Sequence, residues 1–144
     1  MATISISITI NATPSVVWEE MRHIDRHVNW MADAVAIDFM SEQREGVGTS
    51  FTCLTKVGPL ATRDVMTITQ WEPVSAMGVE HVGLIKGSGV FTLRPHGSAT
   101  LVTWRESLVF PWWAGGPLGG WCARPILTAI WKKNLRLLAR TIER

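Results

Sequence analysis

Three titratable residues, Glu106, His81 and Asp64, lie in strand patterns that would bring chemistry to an apolar interior if they turn inward. In residues 99–110, Val102, Trp104, Glu106, Leu108 and Phe110 form one alternating set, and Leu101, Thr103, Arg105, Ser107 and Val109 the other. The first set is bulkier, so period-two alternation directs it inward and takes Glu106 with it. A carboxyl in an apolar groove loses hydration, its pKa rises, and it becomes a candidate general acid or base. The alternative puts Glu106 at a cavity mouth or in an ion pair with a neighbouring arginine, because structural ion pairs perturb carboxylates too. His81 alternates with Met77 and Val79 and is a candidate proton shuttle if it points inward; facing outward it is an ordinary exposed histidine. Asp64 alternates with Met66 and Ile68, which gives it either an inward place near a strand end or a solvated place beside a turn.

Asn134 falls near the centre of an otherwise apolar helical arc. A buried amide left without partners costs roughly 1–3 kcal/mol, so its partner is either a ligand oxygen or a side chain of the sheet. His23, Asp25, His27 and Asp33 lie close together in sequence, but their spacing matches no zinc or iron motif, and no metal or cofactor is expected. The pairs Gly115-Gly116 and Gly119-Gly120 are not a phosphate loop, since no lysine followed by serine or threonine stands at the required spacing. Around them Trp112, Trp113 and Trp121 are concentrated. Buried, they close one end of the core or form a lid; exposed, they are a gate, a dimer contact or a membrane-surface anchor.

The elements that must hold these residues are legible in outline. Ile4, Ile6, Ile8 and Ile10 alternate with Ser5, Ser7 and Thr9, which is a strand with one apolar face. Thr13 and Pro14 then mark a helix N-cap and first position, and Val17, Trp18 and Met21 recur at helical spacing. From Val35 onward, strands are expected at 34–42, 48–57, 61–72, 76–84, 88–95 and 99–110, separated by short turns that imply an antiparallel meander. Gly87 and Gly89 inside one strand mark a bend or the close approach of another element. The chain ends in a long helix. Lys132, Arg136, Arg140 and Glu143 share one side, and Ala123, Ile126, Leu127, Ile130, Leu137 and Leu138 gather opposite, at about 100° per residue. Pro125 means that this helix either begins near Arg124 or is kinked after an earlier first turn.

Residues 1–144 fit one domain. The hydrophobic fraction is 47% against 18% charged, and there are eight tryptophans and no tyrosine. That is more apolar bulk than a minimal core needs, and it suits a dense core or an apolar cavity wall. A net charge of +2 is too mild to indicate nucleic acid. Cys53 and Cys122 form no disulfide framework or metal-ligand spacing, and a cytoplasmic chain with reduced thiols is the simplest reading. No stretch approaches the roughly 18 uninterrupted apolar residues that a membrane span requires.

The order of strand, short helices, six-stranded meander and terminal helix resembles the START/Bet v 1-like (SRPBCC) helix-grip superfamily, most closely its polyketide cyclase/dehydrase and lipid-transport branch. The resemblance is carried by ITINATPSVVWEEM with Asn29-Trp30, by Glu45-Gly46-Val47-Gly48-Thr49 and Thr69-Gln70-Trp71-Glu72-Pro73, and by residues 89–95 and 97–104. It implies an α+β fold in which a curved seven-stranded antiparallel sheet, with two short helices after its first strand, wraps the long C-terminal helix around a cavity. A small hydrophobic, ring-containing or lipid-like molecule is the implied partner of a monomer or homodimer. Trp18, Phe51, Met66 and Phe91 are then expected to line the cavity. Trp104, Ile130 and Leu138 are expected beside them, with Glu106 and Asn134 as polar anchors. In the four-isoleucine strand the resemblance implies one wall of the grip, and in Trp18 a plug at one end. The superfamily holds carriers, sensors, cyclases and dehydratases and shares no fixed catalytic motif, so the enzymatic alternative rests on Glu106, His81 and Asp64 as read from their own positions.

Overall fold

Alternation and turn chemistry account for most of the architecture of the computed structural model, which describes residues 2–143. The elements run β1 (Ala2–Ile10), α1 (Pro14–Met21), a 3-10 helix (Ile24–Asn29), β2 (Ala34–Phe39), β3 (Ser50–Val57) and β4 (Leu60–Glu72). They continue with β5 (Ala76–Val82), β6 (Lys86–His96), β7 (Ala99–Val109), one 3-10 turn (Trp112–Ala114) and α2 (Gly116–Ile142). All seven strands form one antiparallel sheet in the order β1-β7-β6-β5-β4-β3-β2. The meander from β2 to β7 follows from its short turns, and β1 closes the free edge of β7.

Ile4, Ile6 and Ile10 are buried and Ile8 is half-buried, while Ser5, Ser7 and Thr9 are exposed. α2 packs chiefly against β1. Pro14 opens α1 with its fixed φ, and Thr13 stands at the N-cap without a side-chain bond to the helix. Ile68/Gln70 and Ala34/Ala36 each shift register by an irregularity of the kind that bends a strand and increases its twist.

The terminal helix starts at Gly116, eight residues before Arg124, with Pro125 inside it. Gly115 takes φ 92° and Gly119 lies so close to the Ala114 carbonyl that a Cβ there would approach its oxygen to 2.0 Å. These glycines serve a sharp reversal into the helix. The buried arc of α2 is also rotated from the expected one: Trp131, Asn134, Leu135, Leu138 and Ala139 are buried, whereas Ile126 is 58% exposed and Ile130 only half-buried. The spacing 127, 131, 134, 138 follows one helical face. Its first turns run past the sheet, which leaves Ile126 uncovered.

Candidate functional site

Two adjoining chambers lie between the sheet and α2. The inner one, about 140 Å³, is bounded by Met31, Ile37, Phe51, Met66, Phe91 and Trp104, among others. The outer one, about 270 Å³, is bounded by Val57, Leu60, Leu84, Phe110, Ile126 and Leu127, among others. Asp33, Thr55, Asp64, His81 and Trp131 border both and form the neck between them. A cavity of about 150 Å³ accommodates a benzene molecule, so the inner chamber matches a single ring and the outer one a larger, fused-ring body.

Three strands bring Asp64 and His81 to this neck and Glu106 to its inner side. Glu106 stands opposite Gly89, and His81 opposite both Gly87 and Met66. His81 Nε2 lies 3.0 Å from Glu106 Oε2, and the Trp104 indole N–H donates to Glu106 Oε1 at 3.1 Å. His81 Nδ1 faces the Ile85 carbonyl at 3.3 Å. A carbonyl oxygen only accepts, so Nδ1 carries a hydrogen; Nε2 then either donates to an ionised Glu106 or accepts from a protonated one. One proton is thereby shared between imidazole and carboxyl. Asp64, on β4, is buried and accepts from the Thr62 hydroxyl at 3.0 Å.

Room for these groups comes from the facing backbone. A Cβ at Gly83 would come within 1.7 Å of Asp64 Oδ1, and one at Gly89 within 2.1 Å of Glu106 Oε1. At Gly87 a Cβ would meet the Ser107 carbonyl oxygen at 2.2 Å and the His81 ring at 3.1 Å. Each of the three titratable side chains therefore lies over its own glycine. The close approach anticipated at Gly87 and Gly89 is that of side chains from neighbouring strands.

Burial pushes the His81 imidazolium down, but the Glu106 carboxylate, the Ile85 carbonyl and Asp64 together outweigh it, and the net shift is upward. Burial pushes the Asp64 carboxyl up, against the opposing pull of the Thr62 hydroxyl and His81. Cys53, in the inner wall, is also pushed up by burial, which keeps it a thiol and a poor nucleophile.

Glu106, His81 and Asp64 are thus brought to one place, with Phe51, Met66, Phe91 and Trp104 around them. Trp18, Ile130, Asn134 and Leu138 border neither chamber. Trp18 packs edge-on to Trp71 at 5.1 Å on the far side of the core, so it is not the plug of this cavity. Leu138 is fully buried in the core, beyond the neck on α2. Both amide groups of Asn134 are engaged: Oδ1 accepts from the Ala32 N–H at 3.0 Å, and Nδ2 donates to Asp33 Oδ1 at 2.7 Å. Its partner is neither a ligand nor the sheet but the loop before β2, and it reaches the cavity only through Asp33.

Asp33, Thr55 and Trp131 are the neck residues that residue patterns left out. Trp131 stacks on Trp104 at 5.1 Å, and Trp104 on Phe91 at 4.7 Å, which makes a continuous aromatic wall. The i+4 and i+7 spacing of Leu127, Trp131 and Asn134 carried that signal. His27 is buried and Nε2 sits 2.7 Å from the Met21 carbonyl, while His23 pairs with Glu19 and Asp33 with Asn134, so these three polar residues point to different neighbours. Trp112, Trp113 and Trp121 are 86%, 60% and 70% exposed, which removes the alternative of burial in the core.

A sheet gripping one long helix around an apolar cavity with an acid-base cluster in its wall defines a helix-grip protein. The chain belongs to the polyketide cyclase / dehydrase and lipid transport family, whose model matches residues 1–143. No protein of curated function matches the sequence. Among solved structures, it is similar to a protein from Thermus thermophilus, with 13% identity, 97% of this chain and 96% of the other covered, and a TM-score of 0.82. A conserved protein from Geobacillus kaustophilus gives 13% identity, 98% and 95% coverage and a TM-score of 0.79. The Zhui aromatase/cyclase from Streptomyces sp. R1128 gives 14% identity, 99% and 93% coverage and a TM-score of 0.72. At such identities the likeness is one of fold. Among the described residues, no helix is long and apolar enough to cross a membrane.

Proposed function

We propose that the protein binds a small, ring-containing hydrophobic molecule that bears an oxygen function, with the larger ring system in the outer chamber and the oxygen at the neck. The observation that carries this reading is the two-chamber cavity itself, with apolar walls and with Asp33, Asp64 and His81 at the junction. Such a distribution fixes orientation through a few polar groups and takes affinity from the apolar wall. Aromatic ketones and phenols of two fused rings are expected to raise the melting temperature, since a ligand of the folded state alone stabilises it by mass action. Leu127→Trp, which fills the outer chamber, is expected to abolish that shift in a protein that still melts cooperatively. A shift that survives the filled chamber, or no shift with any ring compound or lipid, would overturn the reading.

A second reading, an enzyme of the cyclase or dehydratase type, is favoured by the His81–Glu106 pair. Glu106 uses two of its roughly four acceptor sites on His81 and Trp104, which leaves it able to take a proton from the carbon next to a ligand carbonyl. The electron pair released moves to the carbonyl oxygen, and Asp64, held toward its protonated form by burial, supplies the proton that oxygen needs. Asn134 has no part in this step, because both its amide groups are engaged. Glu106→Gln is expected to retain the ligand-induced melting shift and lose turnover; intact turnover would sink the mechanism.

A further inference from the structure

The rim of the outer chamber carries an unusual surface. Trp112, Trp113, Leu118 and Trp121 are 86%, 60%, 67% and 70% exposed on the segment that leads into and opens α2. Leu60, at the β3–β4 turn, is 64% exposed, and Ile126, one turn beyond Trp121, is 58% exposed; both also border the chamber. The exposed tryptophans lie between Phe110 and Ala123, which border the chamber too, so the β3–β4 turn and the segment opening α2 bring large apolar side chains beside one opening.

Three exposed cations flank residues of that opening in sequence. Exposed Lys56 lies just before the β3–β4 turn, Lys86 pairs in register with Val109 at the end of β7, and Arg124 lies on α2 beside the exposed tryptophans. Residues 46–63, 81–105 and 107–142 contain no aspartate or glutamate. Asp33 and Asp64 border the outer chamber from its neck, and Glu106 borders only the inner one.

We propose that this rim docks on an anionic lipid surface, with the tryptophans at headgroup depth and the cations against the lipid phosphates. Tryptophan prefers that interface because its ring is apolar and its N–H remains hydrated, and each lysine or arginine near an anionic leaflet strengthens attachment. A second copy of the chain is a poor occupant. A two-fold contact through this rim would bring the cations Lys56, Lys86 and Arg124 up to a second set of the same charges, with no acid in these segments to answer them. Docked in this way, the outer chamber opens toward the bilayer, and an apolar molecule would pass between lipid and chamber without crossing water. That passage rests on the ligand-binding reading; the docking does not.

Flotation with vesicles of phosphatidylcholine, alone or mixed with phosphatidylserine, tests the proposal. The unchanged protein is expected to float with the mixed vesicles, to be released by salt, and to have its tryptophan fluorescence quenched by brominated lipid chains. Lys86→Ala and Arg124→Ala are each expected to weaken binding about fivefold, and Trp112→Ser combined with Trp121→Ser to abolish it. The Leu127→Trp protein, with its outer chamber filled, is expected to float as before, which separates docking from ligand binding. The proposal is overturned by absence of both flotation and quenching, by flotation indifferent to the tryptophan and charge changes, or by a concentration-dependent dimer that the two tryptophan changes dissolve.

Discussion

Gly89→Ala puts a single methyl group where Glu106 now lies, 2.1 Å from Oε1 and 2.6 Å from Cδ. The carboxylate terminates a flexible side chain, so it can move, but moving breaks the bonds from Trp104 Nε1 and His81 Nε2 that hold it at 3.1 and 3.0 Å. Hydrogen bonds to a charged group contribute about 1.5–3 kcal/mol each. Against their loss stands the roughly 0.4–1 kcal/mol that glycine to alanine ordinarily adds by restricting the unfolded chain. Partial re-pairing of the displaced carboxylate reduces the loss, and a net destabilisation of roughly 2–4 kcal/mol is expected. The assay is a double-mutant cycle by urea denaturation, with Gly89→Ala measured in the parent and in a Glu106→Ala background. With the carboxylate gone, the alanine meets no obstacle, and its effect should fall to neutral or slightly stabilising. Equal losses in both backgrounds would refute the reasoning and assign the effect to the β6 backbone. His81 supplies a second readout: freed from the Glu106 carboxylate, its pKa should fall from its raised value in the Gly89→Ala protein, as an NMR titration of the ring would record.

Burial holds His27 down at about 4, against an ordinary value of 6.5. The unfolded chain therefore binds the extra proton between these values, stability rises with pH across that window, and acidification removes about 3 kcal/mol. His81 has the opposite sign: its raised pKa stabilises fully below its ordinary value of 6.5, and that contribution is lost as pH rises through the folded value. Asp64, also raised, loses its contribution as pH climbs above 3.8. Urea midpoints of parent and His27→Gln proteins between pH 4 and 7 separate the first effect from the other two, because only His27 differs; parallel profiles would contradict it. Asn134→Leu should cost about 1–3 kcal/mol by stranding the Ala32 N–H and releasing Asp33, with hydrogen exchange at the Ala32 amide accelerated. Unchanged exchange there would show that the loop does not depend on Asn134.

The fold was legible where one residue's neighbours in sequence are also its neighbours in space. Alternation in β1 and β7, the turn at Pro14 and the spacing of Val17, Trp18 and Met21 state their own geometry, because strand and helix periods are properties of the backbone. The same rule placed Glu106 with the bulkier set of β7, but left His81 and Asp64 open between an inward and a solvated place. The long helix shows where that rule stops. Its periodicity is plain, but the centre of its buried face moved from Ile126 and Ile130 to Trp131 and Leu135, since a 47% apolar chain offers more than one apolar arc. Where α2 crosses the sheet selects among them.

Residue pattern alone carried the order of the strands and a short set of titratable groups able to face inward from them. Only the tertiary structure decided that His81 meets Glu106 and that Gly83, Gly87 and Gly89 lie beneath the three titratable side chains. It also gave Asn134 to a loop rather than to the cavity. Those outcomes depend on strand register and on the curvature of the sheet, which set distances between residues as far apart as Ala32 and Asn134. The same holds for Trp112, Trp113 and Trp121: bulk alone left burial and exposure open, and the packing of the chain leaves all three exposed.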